Sequence, residues 1–418
     1  MATELSIKLS RYNRTICLPV CEEEYQTIID NNKAFRAFVV ANYEQMPELF
    51  PANISQGFQL KDHRMSLKQN IKIRRIELRN GISYSIRPSF LMPYMTARTN
   101  EVEKALFIRK FGVPFWALAY TFAKNHMYWY RLEVGLGRNS LVGTTVRTAA
   151  VPEHLLADEH HQSRDGKKNY IATTVGDGCC LGIAVTETAG TEDLTKAYGV
   201  FKEEALDVDC QYVAKTVNTD GWKGTQAAWK VLFPFVVVLQ CFLHGWLKIR
   251  DRAKHLKGIF SEVSSKVWHA YHAPDRRTFS QRIRRLKRWA EKNLKGIVLN
   301  KVLDLCNKRD TWKAAYNYPE GHRTSNMLDR VMRCMNRYFF DGQHLHGSRE
   351  AGELHCRGWA LLFNFAPWNP AAAKINGGWN SPAERLNKHR YHENWLQNLL
   401  VSSSLGGFRH MPPKIRDG

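Results

Sequence analysis

No stretch of this sequence is both long and apolar enough to be a membrane span. The most apolar run, residues 231–247, is 17 residues long and is interrupted by Pro234, Gln240 and His244, where a span needs about 20 predominantly apolar residues. It reads as a buried strand with its flanks. Residues 1–10 carry no continuous apolar core, so a signal peptide is not expected there. Acidic side chains are scarce: 39 Asp and Glu stand against 61 Lys and Arg, a net charge of +22. That balance favours a polyanionic partner, nucleic acid ahead of an anionic membrane surface. The nine cysteines are odd in number and scattered, which argues against a disulfide scaffold and for a reduced, cytoplasmic protein. Cys17 and Cys21 form a CxxxC pair, but no second pair follows at zinc-ribbon spacing. There is no internal repeat and no low-complexity tract. What is present is material for two or three domains with real cores: 418 residues, 44% hydrophobic and 11% aromatic.

Patterning divides the chain. Residues 1–98 read as an α+β module, with helical character over residues 22–43. The alternating run 71–78, then Asn80-Gly81, then residues 82–86 predicts a β-hairpin. Its Lys72, Arg74 and Arg75 make a basic face, open to phosphates or simply solvated. Residues 99–150 read as consecutive helices. Residues 127–136, the turn Gly137-Arg138-Asn139-Ser140, and residues 141–147 follow helix-turn-helix grammar. On that reading Arg138, Asn139, Ser140, Thr144 and Arg147 face a DNA groove; ordinary helical packing is the alternative.

Residues 151–245 alternate strands (155–158, 169–175, 181–186, 212–219 and 235–242) with helices (193–205 and 225–232). Residues 246–318 are a basic, all-helical insertion: residues 248–301 hold 16 Lys or Arg against four Asp or Glu. A run so one-sided repels itself without counterions, so Arg282, Arg284, Arg285 and Arg288 are expected to contact DNA phosphates. Residues 319–365 complete the core and residues 366–418 form a tail. The fold class is α/β, α+β overall, with a mixed sheet flanked by helices.

Three acids stand out by position. Asp158 and Asp220 each close an apolar or β-branched run that reads as a buried strand, and Asp329 opens a helical pattern after the basic insertion. Carboxylates at strand ends, joined by a third from a helix, suit two Mg²⁺ ions about 3.5–4 Å apart. Taken singly, Asp220 also reads as a helix cap and Asp329 as a first-turn dipole partner. Glu159 follows Asp158 on one strand and therefore points to the opposite face. Cys241 and His244 have the chemistry of metal ligands but lack a second pair; they read as shaping the core beside the acids. Asn326 and Arg330 flank Asp329 at helical spacing, where they can orient it or meet a phosphate.

The order Ala157-Asp158-Glu159, Thr219-Asp220-Gly221-Trp222, Cys241-Phe242-Leu243-His244, a helical insertion, then Thr324-Ser325-Asn326-Met327-Leu328-Asp329-Arg330 resembles DDE/DDD transposases with an RNase H-like core, of the Mutator-like and related bacterial insertion-sequence type. Arg357-Gly358-Trp359-Ala360-Leu361-Leu362 and Ser381-Pro382-Ala383-Glu384-Arg385-Leu386-Asn387 are similar to the tails of such bacterial sequences. The resemblance implies an RNase H-like sheet and a DNA transposase that cleaves transposon ends and transfers the strands into target DNA. It implies Asp158, Asp220 and Asp329 as catalytic ligands of two Mg²⁺, with Mn²⁺ able to substitute, and Cys241, His244, Asn326 and Arg330 as accessory residues. The partners it implies are double-stranded DNA and further copies of the chain, as a homodimer or higher oligomer, with no membrane. The location it implies is the bacterial cytoplasm, on the nucleoid. The family more often has Glu where Asp329 stands; Asp, a methylene shorter, must reach from a closer backbone. Two other readings stay open: an RNase H-like nuclease without strand transfer, and an inactive, domesticated DNA-binding protein.

Overall fold

The computed structural model describes residues 13–408 apart from positions 68, 149 and 342–344. The chain is a mixed α/β protein. Its N-terminal elements are β1 (Thr15–Leu18), α1 (Glu22–Ile28), α2 (Asn32–Gln45), β2 (Phe58–Ser66), β3 (Ile71–Leu78), β4 (Ser83–Pro88), α3 (Thr99–Arg109), α4 (Phe115–Phe122), α5 (His126–Leu136) and α6 (Leu141–Thr145). Then come β5 (His154–Arg164), β6 (Lys167–Gly176), β7 (Cys179–Thr186), α7 (Thr191–Val208), β8 (Thr216–Thr219), α8 (Lys223–Leu232) and β9 (Val237–Gln240). The remaining helices are α9 (Phe242–Ala253), α10 (Lys257–Tyr271), α11 (Arg276–Asn293), α12 (Gly296–Asn307), α13 (Arg309–Lys313), α14 (Asn326–Asp341), α15 (Arg349–Phe365), α16 (Pro370–Ile375), α17 (Pro382–Asn387) and α18 (Trp395–Ser402). Among the described residues no helix is long and apolar enough to cross a membrane.

The chain divides into two units. The first holds the residues up to 151, residues 159–212 and those from 331 onward. Its N-terminal sheet has the order β1-β4-β3-β2, with β1 parallel to β4 and the rest antiparallel. The helix expected over residues 22–43 is two helices. Asn31 breaks it, because its side chain accepts the N–H groups of Lys33 and Ala34 at 3.1 and 3.0 Å and so caps α2 instead of continuing α1. The hairpin is present, but only Gly81 takes a left-handed conformation, φ +78°. The Gly81 N–H bonds Leu78 O and the Leu78 N–H bonds Ile82 O, a three-residue loop with glycine at its left-handed position. The hairpin cations are used internally. Lys72 pairs with Asp30, Arg75 with Asp62, and the buried Arg74 donates to Ile29 O at 2.9 Å.

The helix-turn-helix expectation is corrected by burial. All five residues of α6 are buried. Ser140, 1% exposed, caps α6 through its hydroxyl, which also donates to Glu204 at 3.0 Å. Glu204 further accepts the N–H groups of Leu141 and Val142 and the guanidinium of Arg357 at 2.6 Å. A recognition helix must present side chains to a groove; α6 is held inward by this carboxylate. Thr144 is buried as well. Arg147 is half-buried, donates to Glu48 at 2.6 Å and lies over the Tyr391 ring. Ser140 and Arg147 are therefore structural residues. Arg138 remains exposed and Asn139 half-buried.

Helices α5 and α15 touch backbone to backbone. A Cβ on Gly358 would stand 2.3 Å from Glu133 O, and one on Gly137 only 1.9 Å from Leu354 O. We expect Gly358→Ala to destabilise the protein by about 1–3 kcal/mol or more, because backbone cannot swing aside as a side chain does. Thermal unfolding monitored by circular dichroism reads this; a melting temperature equal to wild type would contradict the close crossing.

The second unit holds residues 152–158 and 213–330. Here the start of β5 pairs with β8 and β8 with β9, all parallel. The boundary falls within β5, which has the place between β6 and β8 in the strand order β7-β6-β5-β8-β9. Helices α9 to α13 form the basic insertion around a core of their own that includes Trp246, Val263, Val267, Phe279, Ile283, Leu286, Val302 and Trp312. On α11, buried Phe279, Ile283, Leu286 and Ala290 recur at helical spacing, so one stripe faces this core and leaves the cations outward.

Candidate metal centre

All three singled-out acids lie in the second unit. Strand register positions two of them. His154, Leu155 and Leu156 pair with Thr216, Val217 and Asn218; Asp158 and Asp220 each lie two residues beyond the last of these pairs, Asp220 just past the end of β8. Neighbouring strands lie about 4.8 Å apart, and side chains two residues apart share a face. Both acids therefore follow the same paired stretch at the same offset. Asp220 is exposed and Asp158 half-buried. Gly221, with φ +103°, turns the chain sharply just beyond β8, a conformation that suits glycine. The Asp220 carboxylate accepts the Trp222 N–H at 2.8 Å, which fixes its direction at the entry to α8. Glu159 faces elsewhere: it accepts the Tyr198 hydroxyl at 2.6 Å.

The third strand carries the link to Asp329. Thr219 pairs with Gln240, and the Cys241 N–H bonds Thr219 O at 2.8 Å, so Cys241 is the next residue in the row after Asp220. The Cys241 thiol donates to Ser325 Oγ at 3.2 Å, and the Ser325 N–H donates back to Sγ at 3.2 Å. The Ser325 hydroxyl in turn stands 3.0 Å from both oxygens of Asp329. Asp329 is in the first turn of α14, and its own N–H bonds Ser325 O at 2.8 Å. The segment before it is clamped. Arg323 donates to Tyr271 O and to the Tyr316 hydroxyl, both at 2.6 Å, and lies over both rings. Asn218 Nδ2 donates to His322 O at 2.8 Å. The backbone that carries Asp329 is thus held in place from both sides.

His244 stands one turn along α9 from Cys241. Its hydrogen bond to Cys241 pushes the imidazole pKa up to about 9 against the opposing effect of burial, with added pull from the charges of Asp329 and Asp220. Burial pushes the Cys241 thiol up, but hydrogen bonds from His244 and Ser325 outweigh it and leave the thiol below its usual range. Cys241 and His244 therefore form a polar pair beside the acids. Asn326 and Arg330 are both exposed on the first turn of α14, one turn apart and flanking Asp329. Among the described residues, no three or more His, Cys, Asp or Glu side chains converge on a metal-sized point.

Of the insertion cations, Arg284, Arg285 and Arg288 are exposed. Arg282 is half-buried and donates to His269 O at 2.6 Å, so it ties α11 to α10. The role of Ser325 was not foreseen from sequence, although the residue lies within the quoted motif; nothing local distinguishes a bridging serine from a helix cap. Arg323 was missed for the same reason. No family model matches this sequence, and no curated protein matches it.

Proposed function

We propose that this chain is a metal-dependent DNA transposase of the DDE/DDD kind, which cuts at transposon ends and joins the freed 3′ ends to target DNA. The observation that carries the reading is that Asp158 and Asp220 lie at the same offset, two residues beyond the last pair of the adjacent parallel strands β5 and β8, with Asp329 tied through Ser325 to Cys241 at the end of the strand that follows. The strand order β7-β6-β5-β8-β9 supports it: numbered within the sheet, it is 3-2-1-4-5, the arrangement an RNase H-like core requires. Asp220 lies just beyond the carboxyl end of β8, which is where open α/β sheets bind ligands; Asp158 lies within the longer β5.

The donor set fits Mg²⁺. Three carboxylates are hard oxygen ligands, whereas the softer Cys241 is occupied with His244 and Ser325. Two bound Mg²⁺ would activate a water or a 3′-hydroxyl and stabilise the leaving oxygen. Asp158 and Asp220 hold their oxygens from one rigid sheet. Ser325 restrains Asp329, which would otherwise swing on its helix. Before metal binds, the His244 imidazolium offsets the mutual repulsion of Asp220 and Asp329. Asn326 and Arg330 are placed to meet the phosphate being cut. Arg284, Arg285 and Arg288 supply sequence-independent phosphate contacts on duplex DNA. Cytoplasmic, nucleoid-bound action as a homodimer or higher oligomer completes the proposal.

The test is a joining assay. The purified protein, Mg²⁺, a duplex spanning both borders of the DNA around its gene, and a target plasmid are incubated together. The reading expects plasmids with the border 3′ ends joined at staggered positions. Nicks without joined products would favour a nuclease that lacks strand transfer. A second expectation concerns Ser325→Ala: cleavage should fall about 10–100-fold, the usual cost of removing a ligand's hydrogen-bond partner, and higher Mg²⁺ should recover part of it. Unchanged cleavage would remove Ser325 from the centre.

A further inference from the structure

A cavity of about 720 Å³ lies within the first unit; its lining includes Arg87 on β4, Arg138 after α5, Asn139 and the loop Met92-Pro93-Tyr94. Its size is within the range of small-molecule sites. Neither guanidinium has a hydrogen bond or ion pair among the described residues, and the Nε of Arg87 is buried without a partner. A buried donor left unpaired is costly, and the fork of a guanidinium matches phosphate oxygens. The one acid on the lining, Glu350, is exposed and committed elsewhere: its carboxylate bonds its own backbone and Ser348 at the start of α15 and lies 3.8 Å from Arg349.

The same lining carries an aromatic ring. Tyr94 is 68% exposed and has φ +63°, a left-handed conformation that costs a bulky residue about 1 kcal/mol or more. Gln69 holds the loop there, its Nε2 donating to Met92 O at 2.8 Å and to Met95 O at 2.7 Å. An exposed aromatic ring on the same lining as two guanidiniums without partners among the described residues offers a stacking face together with an anion site.

We propose that this cavity binds a nucleoside phosphate, with the phosphate on Arg87 and Arg138 and the base against Tyr94. The group comes either from a free nucleotide or from one unit of a DNA strand. The inference does not rest on the cleavage reading, and its test is run in EDTA so that the acids take no part.

Isothermal titration of the full chain with dAMP, with deoxyadenosine and with a ten-nucleotide single strand decides it. Arg87→Gln with Arg138→Gln should weaken dAMP binding about tenfold or more, as should omission of the phosphate. Tyr94→Gly, which removes the ring and relieves the backbone, should weaken it about fivefold. Arg131→Gln, an equal charge change at an exposed position on α5, should leave it unchanged. Tighter binding of the strand than of dAMP, lost in the same variants, assigns the site to DNA; tighter binding of dAMP assigns it to a free nucleotide. If the double variant melts early, the exposed Arg138→Gln alone carries the test. No binding of either probe, or binding indifferent to Arg138, would overturn the proposal.

Discussion

Asp158→Asn, Asp220→Asn and Asp329→Asn are each expected to lower strand cleavage by about 10³-fold or more while leaving duplex affinity within about twofold. Each variant keeps the shape of the side chain and removes the charge that holds a divalent ion. A metal ion contributes several kcal/mol to the transition state, and every 1.36 kcal/mol is about tenfold in rate. The cations proposed to hold DNA lie on α11, so binding should persist. Asp329 is the most informative of the three. It is restrained by Ser325 and not by a strand, so Asp329→Glu should retain part of the activity if the extra methylene is tolerated. A purified Asp→Asn variant that nicks duplex DNA at the wild-type rate in Mg²⁺ would take that residue out of the centre.

The second large effect is on binding. Replacing Arg284, Arg285 and Arg288 together with Gln should weaken binding to border DNA and to unrelated duplex equally. It should also reduce the slope of log affinity against log salt by about 2–3, because each lost phosphate contact removes about 0.9. Arg282 is left in place, since it bonds His269 O and its loss would disturb the packing of α10. A salt slope equal to wild type would show that this face of α11 is only solvated.

Much of the second unit was legible in the sequence because its signals are local. β8 and β9 are short runs ended by polar residues, and Asp220 stands just past β8; β5 does not close at Asp158 as its apolar run implies but continues through polar residues to Arg164. α11 declares itself through Phe279, Ile283, Leu286 and Ala290 at helical spacing. The hairpin declared itself through Gly81. The failures share one cause, which is that burial is decided by distant partners. A glycine-containing turn before a short helix is the same local pattern in a DNA reader and in a core. Only Glu204, 64 residues beyond Ser140, settles that α6 faces inward. Likewise the bond from Cys241 to Ser325 joins residues 84 apart, so the restraint on Asp329 had no sequence signature. β1 escaped notice because four residues are too few to show a period, and β2 because its polar side chains mask one.

The central claim is that Asp158, Asp220 and Asp329 serve one metal centre. Fe²⁺ substituted for Mg²⁺, with ascorbate and peroxide, generates hydroxyl radicals that cut the polypeptide beside the bound ion. Mapping those cuts by mass spectrometry, with DNA present, tests the claim most directly. Cuts are expected to cluster near residues 158, 220 and 329 together, with all three lost in any single Asp→Asn variant and suppressed by excess Mg²⁺. Cuts at only one of these positions, or cuts that survive removal of the acids, would contradict it.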